Sequence, residues 1–209
     1  MHVEQQFTPQ TWPESPERAT LEGKNKFLGF WFFLGGETVL FASFFATYLA
    51  LKDKVPSKSE LISTDVFALP LAFIMTMVLL TSSITSVYAM YHMKNFNFKK
   101  MQLWLIITVA LGLTFLGFEI YEFWHYTTEL GFGFTSSAFS SAFYTLVGFH
   151  GGHVVFGLGW LIALMVRNSK RGLNLSNAPK FYLASLYWHF IDVVWVFIFT
   201  VVYLMGMVG

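Results

Sequence analysis

Cysteine is absent from the 209-residue chain, which excludes disulfides, iron–sulfur clusters, thiolate metal sites and a thiol nucleophile within it. Charge is scarce: Asp, Glu, Lys and Arg make up 12% of the residues and leave a formal net charge of +1. Nothing in that balance points to nucleic acid, and no nucleic-acid partner is expected. Internal repeats and low-complexity tracts are missing too, which argues against an inverted-repeat transporter. The first 26 residues lack the apolar core of a cleavable secretory signal and carry Pro9, Pro13 and Pro16 among acids and bases. They are expected to stay attached, as a polar tail at the membrane surface.

What the chain has in abundance is apolar residues. Hydrophobic types make up 55% and aromatics 20%, with a mean hydropathy of +0.55, far from the average of soluble domains. Five apolar runs, 27–51, 66–93, 101–124, 139–166 and 181–208, are each long enough to cross a hydrocarbon core about 30 Å thick at about 1.5 Å per helical residue. The expected fold is all-α: a multi-pass bundle of five transmembrane helices over 27–209, behind the polar tail 1–26. Short breaks separate the runs, among them Val55-Pro56-Ser57-Lys58 and Ser176-Asn177-Ala178-Pro179, where a proline near a helix start is harmless.

Basic residues set the orientation, because Lys and Arg are retained in the cytoplasm. Arg18, Lys24, Lys26, Lys94, Lys99, Lys100, Arg167, Lys170, Arg171 and Lys180 fall on one side, against Lys52, Lys54 and Lys58 on the other. The N-terminus is therefore expected inside and the C-terminus outside.

An ionisable side chain near the bilayer centre costs roughly 2.5 to 3.5 kcal/mol even on the gentler insertion scales. Seven are candidates: Glu37, Glu119, Glu122, His150, His153, His189 and Asp192. Counting along the runs puts Glu37, His150 and Asp192 near mid-depth, where they could meet. Glu119 and Glu122 fall near the outer interface, where they can be wet and need no special partner. Residues three apart share a helix face, which pairs His150 with His153, His189 with Asp192, and Glu119 with Glu122. Glycines at 35, 36, 148, 151, 152, 157 and 159 surround these positions and allow close helix approach. Trp104, Trp124, Trp160, Trp188 and Trp195 are expected to be mostly lipid-facing bulk or interface anchors.

Three uses fit such groups. They can tie helices together by hydrogen bonds; His150, His153, His189, Asp192 and Glu37 are ligand types suited to a metal or haem site; and Glu37 can serve an ion or proton path.

Four segments, "GGETVLFASFF" from Gly35, "GFEIYEF" from Gly117, "FHGGHVVFG" from Phe149 and "YWHFIDVVWVFIF" from Tyr187, resemble in sequence and order the signature stretches of subunit III of haem-copper cytochrome oxidases. The chain resembles the short, five-helix bacterial form, most of all that of Gram-positive oxidases with a cytochrome c fused to another subunit. The resemblance implies a non-catalytic, metal-free subunit of a bacterial plasma-membrane oxidase that reduces dioxygen and pumps protons. Haem and copper then belong to partner subunits. It implies packing against subunit I, association with subunit II and a small subunit, and bound structural phospholipid. Glu37 matches the family's carbodiimide-reactive carboxylate, and His153 the second histidine of its HGxH motif. Arg167 and Lys170, with Arg171 beside them, match basic positions that hold lipid phosphate. The long form's first two helices are missing, so a partner is expected to complete the lipid cleft. On this reading the buried polar groups are ties, with Glu37 bonded to the fourth-helix histidines, and Asp192 accepting from Tyr187 or a Trp N–H. A quinol oxidase subunit III and the accessory subunit of nitric oxide reductases share these helices and are the alternatives. An independent membrane metalloenzyme and a transporter are the rivals from other classes.

Overall fold

A computed structural model describes residues 8–52, 69–129, 131 and 133–205. Its long helices are α1 (Leu21–Leu51), α2 (Leu69–Lys94), α3 (Phe98–Thr128), α4 (Ala138–Asn168) and α5 (Ala178–Ile198). The last continues through a π-helical stretch, Phe199–Leu204. All five are long and apolar enough to span a membrane. Val66 at the expected start of the second helix, the break around Pro56, Lys54 and Lys58, and the last expected residues of the fifth helix lie outside the described residues.

Capping places the helix starts. Thr20 accepts from the Gly23 N–H at 3.0 Å, Asn97 from Lys100 at 3.2 Å, and Ser137 and Ser140 form a reciprocal capping box, each satisfying donors that a helix start leaves without partners. α1 thus begins at Leu21 rather than Phe27, and α3 runs on to Thr128 rather than ending at Trp124. At the α4–α5 turn, Gly172 takes a φ of +67°, a conformation that costs glycine little. Asn177 ties that turn by donating to Asn168 Oδ1 at 3.2 Å and the Gly172 carbonyl at 2.7 Å.

The tail before α1 is not simply a surface strap, as the sequence suggested. Trp12 is buried against Phe96, ring centroids 4.9 Å apart, and donates to the Met93 carbonyl at 3.2 Å. Glu17 is buried 3.9 Å from the Lys94 ammonium, and the Arg18 guanidinium lies 3.8 Å over the Phe27 ring. Trp12, Glu17 and Arg18 thus find partners at the start of α1 and the end of α2, so residues 12–18 fold down onto them.

α5 is the most buried span and α1 the least. α5 packs on α1, α2 and α4, while α3 bridges α2 and α4. α1 attaches mainly through a narrow stripe of buried Leu34, Phe41 and Tyr48, spaced seven residues apart. α3 approaches its neighbours closely at Gly112, where an added Cβ would lie 2.6 Å from Trp188 and 2.8 Å from Leu158. Gly112→Ala is expected to destabilise the protein by about 1–3 kcal/mol through overpacking, lowering the thermal unfolding temperature. Gly117→Ala, which meets open space, should leave that temperature unchanged.

Candidate functional site

The polar groups inside the bundle form three assemblies, each on a different set of helices. The first joins α2 to α5. Trp195 donates its indole N–H to Thr76 at 3.0 Å and Trp188 to Ser82 at 2.9 Å. Ser86 and Ser185 share a hydrogen bond of 2.7 Å, and His189 Nδ1 meets the Ser83 hydroxyl at 2.5 Å. From Thr76–Trp195 through Ser82–Trp188 to Ser86–Ser185 the partners run in opposite order along the two helices, as an antiparallel pair requires. Thr85 extends the set to Thr108 of α3 at 2.8 Å. Trp188 and Trp195 are fully buried; they are neither lipid-facing bulk nor donors to Asp192, because Ser82 and Thr76 take their N–H groups. His189 and Asp192 accordingly sit on the α2 side of α5, with Asp192 leaning on the same Ser83. Sequence reading missed the α2 partners. The signal was there, a run Thr81-Ser82-Ser83-Ile84-Thr85-Ser86 in the middle of an apolar span.

The second assembly surrounds α3. Glu122 is 1% exposed and accepts from Tyr126 at 2.7 Å and from Tyr203 at 2.9 Å. Tyr203 comes from the π-helical stretch, whose extra residue per turn re-aims the side chains beyond it. Glu119 is 3% exposed and its carboxylate lies against Gly151, where a Cβ would come within 2.5 Å. Neither acid is wet at an outer interface, which corrects the expectation. Counting residues measures height, but α4 and α5 close over this face of α3 at that height. His150 is fully buried among Phe115 and Trp195, ring centroids 5.7 and 5.1 Å away, and donates from Nε2 to the Ile191 carbonyl at 3.3 Å.

The third assembly joins α1 to α4. His153 Nε2 lies 3.0 Å from Glu37 Oε2, and Nδ1 lies 2.6 Å from the Phe149 carbonyl. A carbonyl only accepts, so Nδ1 donates, and the contact to Glu37 holds one proton shared between imidazole and carboxyl. Glu37 thus meets His153 alone of the two fourth-helix histidines. Three residues on a helix still leave about 60° between side chains, enough to aim His153 at α1 and His150 at α5. The glycines divide in the same way: Gly151 and Gly157 meet neighbouring side chains, whereas Gly35, Gly36, Gly152 and Gly159 face open space. Arg167, Lys170 and Arg171 are exposed at the end of α4 and the turn after it. Among the described residues, no group of three or more His, Asp or Glu side chains could hold a metal ion.

Residues 18–207 match the family described as cytochrome c oxidase subunit III. The chain belongs to that family. It is 71% identical over 209 residues, all of both chains, to cytochrome c oxidase subunit 3 of Bacillus subtilis (strain 168). Identity to the subunit of the same name from Alkalihalophilus pseudofirmus is 67% over 197 residues, 94% of this chain and 95% of that one. A protein named probable quinol oxidase subunit 3, from Staphylococcus aureus (strain USA300), is 49% identical over 189 residues, 90% and 93% of the two chains. As a subunit III this protein is a non-catalytic member of an oxidase complex in the bacterial cell membrane, alongside other oxidase subunits.

Interhelical hydrogen bonds in membranes average about 0.6 kcal/mol and reach about 1.7 kcal/mol. A double-mutant cycle of Ser82→Ala and Trp188→Phe should give a coupling energy in that range, measured by denaturant unfolding in detergent.

Proposed function

We propose that this chain is the non-redox subunit III of a cytochrome c oxidase that reduces dioxygen to water and pumps protons, where it stabilises subunit I by direct packing and holds structural phospholipid. Full-length identity of 71% to a cytochrome c oxidase subunit 3 carries the reading. The thin attachment of α1 supports it, because a span so little covered by its own chain is suited to a neighbour in a complex. Exposed Arg167, Lys170 and Arg171 at one end of the bundle suit a lipid phosphate. Haem and copper belong, on this reading, to subunits I and II, with a small subunit completing the complex. The quinol oxidase alternative is favoured by the Staphylococcus relatives, but at 49–50% identity they stand well below the cytochrome c oxidase subunits.

Purification of the native complex through a tag on this chain, in mild detergent, is expected to bring down haem and copper with partner subunits and a cytochrome c oxidase activity. The polypeptide released from that complex should show no Soret band. Replacing Arg167, Lys170 and Arg171 together by Gln should weaken lipid retention by about 1 kcal/mol per basic residue, read as less phospholipid phosphorus per complex and earlier loss of activity during turnover, with the initial rate kept.

The cytoplasmic placement of the N-terminus is tested with the cysteine-free background. Ser136→Cys, in the α3–α4 turn, should react with an impermeant maleimide in intact cells. Lys99→Cys, at the start of α3, should react only in inverted vesicles.

A further inference from the structure

The contact between Glu37 and His153 lies in the wall of a lateral pocket of about 540 Å³. Glu37 lies just past the midpoint of α1 and His153 is the midpoint of α4, which puts the pocket at the level of the bilayer centre. Phe33, Phe149 and Phe156 line it and are 42%, 47% and 58% exposed, so it opens on the lipid side. Tyr187 lines it as well, its ring 5.6 Å from that of Phe156 and 6.2 Å from that of Phe33. On the α4 side, Gly152 leaves open space where a side chain would begin.

The lining decides what can enter. It contains no Lys or Arg, and the Glu37–His153 contact shares one proton and so carries no net charge. A phosphate would find neither a cation nor the right depth. An acyl tail would fill the space but leave Glu37 Oε1, which makes no hydrogen bond to a described residue, without a partner in a medium that has no water to offer. An uncharged ring bearing a hydroxyl satisfies both the aromatic lining and that oxygen, which can only accept, and the volume lies within the range of small-molecule sites built from apolar walls and a few polar groups. We propose that this pocket binds the head group of a membrane quinol, with a ring hydroxyl donating to Glu37 Oε1 and the ring against Phe156 and Tyr187. The proposal concerns binding only; no bond is made or broken and no electron is transferred. It stands apart from the electron donor of the complex.

The test uses the native complex in nanodiscs and an azido-naphthoquinol with a short isoprenoid tail, kept reduced under argon, photolysed and mapped by mass spectrometry. Labelling is expected between residues 149 and 156 or around residue 33, and displaced by excess unlabelled naphthoquinol. Glu37→Leu should cut labelling about tenfold, the scale of one lost buried hydrogen bond, while Glu37→Gln, which still donates and accepts, should restore most of it. Gly152→Leu grows into open space and keeps the assembled complex, but should also cut labelling about tenfold by filling the pocket. Equal labelling in the Gly152→Leu complex would overturn the proposal. So would labelling of the same peptides by an azido-acyl phospholipid that excess naphthoquinol fails to displace.

Discussion

Water does not reach the hydrocarbon core, so a polar side chain that enters it must be met by another helix. That constraint organises this protein. α5 carries two indole N–H groups, a serine and a histidine down one side, and α2 answers with Thr76, Ser82, Ser86 and Ser83 at matching heights. Each bond is worth little by itself. Their common register excludes sliding, because moving one helix by a turn would break all four together. The same helix gives its Ile191 carbonyl to His150 of α4 and, through its π-helical end, Tyr203 to Glu122 of α3. α2, α3, α4 and α5 thereby form one body with α5 at its centre.

α1 stands outside that body. Among the described residues, one interhelical hydrogen bond, Glu37 with His153, and one buried stripe hold it in place, while Gly29, Gly35 and Gly36 look into open space. The mid-depth contact sits where α1 parts from α4, at the rim of the lateral pocket. A subunit built as a rigid body with a lightly attached edge helix suits a role of support: the body resists deformation and the edge offers itself to neighbours and to the bilayer.

Much of this could be read from the residues. Five apolar runs marked five helices, and the depth count placed Glu37 near the middle, where the structure puts it close to the midpoint of α1. Other features were misread for a common reason. Glu119 and Glu122 were assigned to a wet interface because height was known and surroundings were not; the structure covers them with Gly151 and the π-helical turn. Trp188 and Trp195 looked like lipid-facing bulk because their acceptors are hydroxyls far away in the chain. Ser82, Ser83, Thr76 and Ser86 drew no notice, since a small hydroxyl in a transmembrane helix commonly bonds to its own preceding carbonyl, as Thr76 and Ser82 also do here.

The amino-acid sequence by itself determined the fold class, the number and approximate extent of the spans, and the family, because hydropathy and ordered motifs are properties of residues taken along a line. Only the tertiary structure decided the partners: His153 and not His150 for Glu37, Ser83 for His189, the tyrosines for Glu122. Side-chain partnership depends on the angle around each helix axis and on which helix lies across from it. Both arise when five spans pack together, and neither is carried by any one of them.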